Sequence, residues 1–118
     1  MSLQIVTDFL NAFYKMMMED RMSILPIYRN SSLLTYNGGN HAGVESIKKH
    51  LEGLSFKKIS YNFDDYDAQP LHGGGILIVV AGELCMDDSD RFKFNQTFVL
   101  MPEGETWFIQ NDVLKIIV

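Results

Sequence analysis

Residues 75–86, GILIVVAGELCM, decide the fold. Ile76, Leu77, Ile78, Val79 and Val80 follow one another without a polar break, and β-branched residues dominate, so the stretch reads as a strand with two apolar side-chain faces. An antiparallel strand with one wet face alternates apolar and polar residues, so a run like this asks for cover on both sides. Helices supply one cover. In a chain of 118 residues the economical second cover is another copy of the same sheet, because too few helical segments remain for the chain to roof both sides itself. Ile78 and Val80, with Phe94 and Phe98 of the next strand, are the residues expected at that dimer interface.

Working outward, Asp87-Asp88-Ser89-Asp90 reads as a turn. Phe92, Phe94, Gln96, Phe98 and Leu100 then share one face of a long strand, and a hairpin through 102–106 leads into a last strand over 107–118. On the other side, Gly73-Gly74-Gly75 and Pro70 separate the central run from Ile59, Tyr61 and Phe63, which alternate with polar residues as a half-buried strand does. Val44, Ile47, Leu51 and Leu54 mark a helix of about three turns with Glu45, Lys48, Lys49 and Glu52 on its wet face. Residues 31–36 form a strand that runs into the turn Asn37-Gly38-Gly39-Asn40. Val6, Phe9, Leu10, Phe13 and Met17 place a long amphipathic helix over 3–18 with Ser2 as its N-cap, and 21–28 reads as a short helical piece interrupted by Pro26.

The order is helix, short helix, strand, helix, then four strands in a meander, without repeats or linkers. It predicts one α+β domain over 1–118, in which the long N-terminal helix packs in a curved antiparallel sheet of four or five strands. Such a cone is closed at one end and open at the other, and its open end is a pocket.

Composition narrows the function. The net charge is −5 and the pI near 5.0, which argues against nucleic acid or an anionic membrane as partner and fits a basic protein. Cys85 stands alone, so no intrachain disulfide forms and a reducing compartment is expected. The N-terminus is too polar for a signal peptide, and the expected location is cytosolic or nuclear. No metal or cofactor is expected. His41, His50 and His72 lie at no ligand spacing, the three glycines lack the Lys-Ser/Thr of a phosphate loop, and Asp87–Asp90 lacks the glycine and distal glutamate of a calcium loop. Met16, Met17, Met18 and Met22 read as gap-filling core at a helix end.

The residues also resemble a known family. Phe9, Phe13 and Tyr14 in the first helix come first, followed by Asp20-Arg21, Ile27-Tyr28, Ser32-Leu33, Tyr36-x-Gly38 and Gly43-x-x-x-Ile47. Leu54-Ser55-Phe56-x-Lys58-Ile59, Asp67-x-Gln69-Pro70, Val79-Val80-x-Gly82-x-Leu84, Phe94-x-Gln96-x-Phe98, Trp107 and Asn111-Asp112 follow in order. From Phe9 to Lys115 this pattern looks like nuclear transport factor two. The resemblance implies a homodimer that carries the GDP-bound small GTPase Ran into the nucleus and touches the phenylalanine-glycine repeats of nuclear pore proteins. Its place would be the cytoplasm, the nucleus and the nuclear pore. Carried across, Tyr36, Leu54, Ile59, Phe92 and Val113 line the mouth of the cone and receive an aromatic side chain of Ran, with Asp87 as a rim acid and Lys58 as a rim base; Asp88, beside Ser89, and Asn37 are expected to join them as polar rim residues. Asn37 stands where the family has a glutamate, Ser89 where it has a second acid and Leu114 where it has a phenylalanine, and its N-terminal tryptophan has no counterpart.

The same cone hosts isomerases and dehydratases, so an enzyme or small-molecule binder is the alternative. Its titratable candidates are Tyr14, Tyr61, Asp67, Asp112 and His72, with Tyr14 and Asp112 the best acid and base pair. Asp67 and Asp112 read more simply as carboxylates that tie down backbone amides. A third reading, a dimerisation module that merely brings other proteins together, is favoured if the cone is filled by its own side chains.

Overall fold

The computed structural model describes residues 3–118, so the N-cap expected at Ser2 lies outside the described residues. Helix α1 spans Leu3–Glu19 and buries Val6, Leu10 and Phe13 of the expected stripe, with Tyr14 buried beside them and Phe9 and Met17 half-buried. Asp20 ends it and caps the following 3-10 helix, Arg21–Ile27, by accepting from the amide of Met22. Pro26 sits inside this short piece. Strand β1, Tyr28–Tyr36, turns at Asn37-Gly38 into the four-residue β2, Gly39–Ala42. Helix α2, Val44–Glu52, follows, and then β3 (Ile59–Pro70), β4 (Ile76–Met86), β5 (Arg91–Glu103) and β6 (Thr106–Ile117). Among the described residues no helix is long and apolar enough to cross a membrane.

The sheet has six strands in the order β2-β1-β6-β5-β4-β3. The meander β3 to β6 is antiparallel, as expected, but β1 runs parallel to β6, so the sheet is mixed rather than antiparallel throughout. Periodicity identifies strands and not their neighbours. The pairing follows because α2 carries the chain away after the β1–β2 hairpin and leaves one side of β1 free for the last strand.

Besides a register shift between Tyr28 and Leu33 on the β1–β6 pair, two irregularities interrupt the meander. The register of β3 shifts between Asn62 and Asp65, opposite Gly82 of β4. A Cβ at Gly82 would stand 2.1 Å from the carbonyl oxygen of Asn62, so only glycine lets the bulged strand approach this closely. A second shift lies between Val99 and Leu100 on the β5–β6 pair.

The concave face of the bent sheet holds the core. Ile78, Val80 and Phe98 are fully buried and Phe94 is 1% exposed within a single chain, with the rings of Phe9 and Phe13 against Phe98 at centroid distances of 5.0 and 4.9 Å. This corrects the interface expected from the sequence: Ile78, Val80, Phe94 and Phe98 point at α1 and cannot meet a second copy. The reason is phase. An unbroken apolar run does not say which alternate residues face inward, and here the outward set is Leu77, Val79 and Ala81. Across the convex face, β-register aligns Val79, Thr97, Val113 and Thr35 in one row, and Leu77, Val99, Asn111 and Leu33 in the next. Leu33 is 49% exposed, and Val79 and Val113 are each 44% exposed.

Candidate functional site: the mouth and floor of the cone

The open end of the cone is bounded by strand ends and one connection. The end of β1 delivers Tyr36, the α2–β3 connection delivers Leu54 and Phe56, the start of β3 delivers Ile59, and the end of β4 delivers Met86. Behind them lies a cavity of about 30 Å³, room for one or two water molecules. Its walls are apolar, from Phe13, Met17, Ile24, Leu34, Leu51, Leu84 and Leu114, and its polar floor is Tyr28, Gln96 and Asp112.

The floor is one hydrogen-bonded chain. Tyr14 donates its hydroxyl to Oε1 of Gln96 at 2.7 Å, Gln96 donates Nε2 to Oδ1 of Asp112 at 2.9 Å, and Tyr28 donates its hydroxyl to Oδ2 of Asp112 at 2.8 Å. Asp112 is 1% exposed, and burial pushes its carboxyl up to about 6 against the opposing pull of the Gln96 and Tyr28 hydrogen bonds. Burial, with the Asp112 charge as a lesser cause, drives the Tyr14 and Tyr28 phenols far above the usual range, so both stay protonated donors. Tyr61 is raised by burial too, and its ring lies 4.7 Å from that of Tyr14.

At the mouth, Tyr36 packs against His50 at 4.6 Å between centroids, and His50 against His41 at 4.3 Å. Burial, and secondly the nearby His41, lower His50 to about 4, so its ring is neutral at pH 7. The Arg21 guanidinium lies 4.4 Å over the Phe56 ring and donates to the Phe56 carbonyl, which fixes that side of the mouth.

The residues expected at the mouth divide. Tyr36, Leu54 and Ile59 line the cavity. Phe92 shares the concave face beside its register partner Leu84 but stays half-buried outside the lining. Val113 is a correction: it alternates with the inward Asp112 and Leu114, pairs with Thr97 and faces out from the convex side. Asn37 has φ +46°, donates its amide to the Leu114 carbonyl and accepts from the Ile116 amide, so its side chain is used within the fold. Asp87 has φ +49° and accepts from the amides of Lys57 and Lys58 through its carboxylate. Asp88, at φ +59°, and the side chain of Lys58 are exposed and carry no hydrogen bond or ion pair.

Among the enzymatic candidates, Tyr61 and Asp112 line the cavity and Tyr14 lies buried behind Gln96, outside the lining, while Asp67 and His72 are exposed and lie outside it too. Tyr14 and Asp112 do not touch; Gln96 stands between them. Sequence reasoning passed over Gln96, Tyr28, Arg21 and His50. The signal for Gln96 was present, since it is the one polar residue in the inward stripe Phe92, Phe94, Gln96, Phe98 and Leu100. Among the described residues no group of three His, Cys, Asp or Glu is arranged to hold a metal ion.

Comparison with known proteins places this geometry. A Neurospora crassa protein named nuclear transport factor 2 is 35% identical over 115 residues, covering 96% of this chain and 93% of its own. The structure of nuclear transport factor 2 from Cryptosporidium parvum superposes with a TM-score of 0.93 at 28% identity, over 97% of this chain and 93% of that one. A chain of the yeast deubiquitinase and cofactor complex superposes with a TM-score of 0.90 at 25% identity, over 100% and 98%. The family model of the nuclear transport factor 2 (NTF2) domain matches residues 5–116, and the chain therefore belongs to that family.

Proposed function

We propose that the chain is a non-enzymatic nuclear transport carrier that binds the GDP-bound form of Ran at the mouth of the cone and passes the pore by touching phenylalanine-glycine repeats. The observation that carries this reading is end-to-end similarity to chains named for nuclear transport; a cone almost filled by its own side chains weighs against an enzyme and leaves a dimerisation module as the competing non-enzymatic reading. A cavity of about 30 Å³ holds no substrate, whereas a mouth framed by Tyr36, Leu54, Phe56 and Ile59 offers apolar surface to one partner side chain. Burying an aromatic ring there would contribute roughly 2 kcal/mol. Asp88 and Lys58, free at the rim, would act on orientation and on-rate. Repeat phenylalanines would use the groove that Ile5, Phe9, Leu100 and Trp107 form between α1 and the sheet. The carrier works as a homodimer through the convex face, where Leu33, Val79 and Val113 are the exposed apolar positions. It acts in the cytoplasm, the nucleus and the pore. Calorimetric titration with Ran loaded with GDP, and in parallel with a GTP analogue, tests the reading. Binding to the GDP form alone is expected, and binding to neither overturns it.

A second reading, a small-molecule binder or isomerase-like enzyme, is favoured by one feature, the buried Tyr14–Gln96–Asp112–Tyr28 chain with its raised carboxyl. The volume weighs against it, because drug-sized ligands occupy roughly 300–1,000 Å³.

A further inference from the structure

We propose that the side chain of Met17 is a movable wall of the cone, and that it swings out of the cavity into the groove at the end of α1 to admit one aromatic ring of a partner. The inference rests on the reading of the mouth as the partner site.

The cavity behind the mouth is about 30 Å³, whereas an apolar space that takes a ring the size of benzene is roughly 150 Å³. A ring that enters the mouth must therefore displace part of the lining. Most of the lining is fixed. Phe13, Tyr28, Leu84, Gln96 and Asp112 are buried in the core or in its hydrogen-bonded floor. Tyr36 packs against His50, and Tyr61 against Tyr14.

Met17 and Phe56 differ, because each has the cavity on one side and a second space on the other. That space is a groove of about 220 Å³ between the end of α1 and the α2–β3 connection, which Met18, Arg21, Met22 and Lys57 also line. Phe56 is 6% exposed, lies under the Arg21 guanidinium and has its carbonyl held by the same side chain, so its ring stays in place. Met17 is half-buried and unbranched, with three rotatable bonds and no strong hydrogen-bonding group. Rotation about those bonds carries the thioether from the cavity to the groove without moving the backbone. Met18 and Met22 on the far side adapt in the same way, so the groove receives it. The methionine cluster that reads as core filler thus gives the cone an adjustable side. The open form is a minor state of the free chain, and a bound ring makes it dominant.

Isotope-labelled methionine methyl groups report this movement without any substitution. On titration with GDP-bound Ran, and separately with millimolar indole as a free ring, the Met17 methyl should lose its contacts with cavity residues and gain contacts with Met22 and Lys57. Met17→Ala joins the cavity to the groove permanently. It should bind GDP-bound Ran and indole about tenfold more tightly, because no closed population has to be converted first. Met17→Leu keeps the bulk on a branched, stiffer side chain and should bind both more weakly than the wild type. The proposal is overturned if the Met17 methyl keeps its cavity contacts while a ring is bound, or if Met17→Ala binds indole no better than the wild type. Should Met17→Ala fail to fold, the wild-type methyl contacts decide alone. A wild type that fails to bind GDP-bound Ran overturns the functional reading, and the indole titrations still decide the movable wall.

Discussion

Gln96 stands between Tyr14 and Asp112, accepting from the phenol through Oε1 and donating to the carboxylate through Nε2. Its amide is thereby oriented from both ends, and the carboxylate keeps two donors, Gln96 and Tyr28, at the floor of an apolar cone. Those donors do not fully offset burial, since the carboxyl stays raised from its ordinary 3.8 to about 6. An acid whose folded pKa lies above its unfolded one favours the fold when protonated. Stability should therefore rise as pH falls from above 6 towards 4, by on the order of 3 kcal/mol for this group alone. Asp112→Asn removes the titration. The difference in unfolding free energy between wild type and variant, measured in urea from pH 8 to pH 4, should shift in favour of the wild type as pH falls, and a pH-independent difference would show that Asp112 is not raised.

Gln96→Leu takes one partner from each neighbour and leaves the Tyr14 hydroxyl and Asp112 Oδ1 short of a hydrogen bond at the buried floor. The expected cost is about 2–4 kcal/mol, more than a simple packing change of this size. Because the loss falls on the ionised carboxylate, the variant should be hurt more at pH 8 than at pH 5. Equal losses at both would assign the effect to packing.

The convex face yields a contrast within one strand. Val79 faces out and Ile78 faces in, one residue apart on β4. Val79→Lys, or Val113→Lys in the same row, should leave a folded chain that sediments as a monomer. Ile78→Lys buries a charge under α1 and should lower stability by several kcal/mol whatever the assembly state. A wild-type monomer would remove the interface from the convex face.

That contrast also marks what the sequence makes legible. The run Ile76–Val80 announces a strand apolar on both faces, and both faces are apolar. The run carries no polar residue to fix its phase, so which face meets α1 emerges only from register with β5. The stripe from Phe92 to Leu100 does carry such a marker in Gln96, whose partners are 82 and 16 residues away in sequence and invisible from local pattern. Tyr36, Leu54 and Ile59 line the cavity because the end of β1, the α2–β3 connection and the start of β3 meet at the mouth. Asp87 illustrates the limit: it is exposed, as an acid in a turn reads, but the two backbone amides its carboxylate accepts from are invisible in the sequence.

Gly82 is the point where a single methyl group tests the curvature. A Cβ would lie 2.1 Å from the Asn62 carbonyl oxygen and 3.0 Å from the Phe94 ring, and the first of these is backbone that cannot rotate away. Gly82→Ala should cost about 2 kcal/mol or more, as overpacking that shifts backbone does. It should also straighten the bend, which amide shifts of residues 61–66 and 80–84 would report. A variant as stable as the wild type would mean that β3 moves freely at its bulge.

His50 should bend the pH profile the opposite way. Its ring is wedged between Tyr36 and His41, and burial, then the nearby His41, lower its folded pKa from 6.5 to about 4. A base with a lowered folded pKa takes up its proton more readily when unfolded. Its contribution is present above pH 6.5 and drains away as pH falls towards 4, the window in which Asp112 gains. The wild-type profile between pH 6.5 and 4 should accordingly be flatter than that of either variant. Asp112→Asn should expose a loss of stability on acidification, and His50→Gln a gain. Denaturation series for the three chains over this range check it, and profiles that run parallel would show that the two groups do not oppose each other.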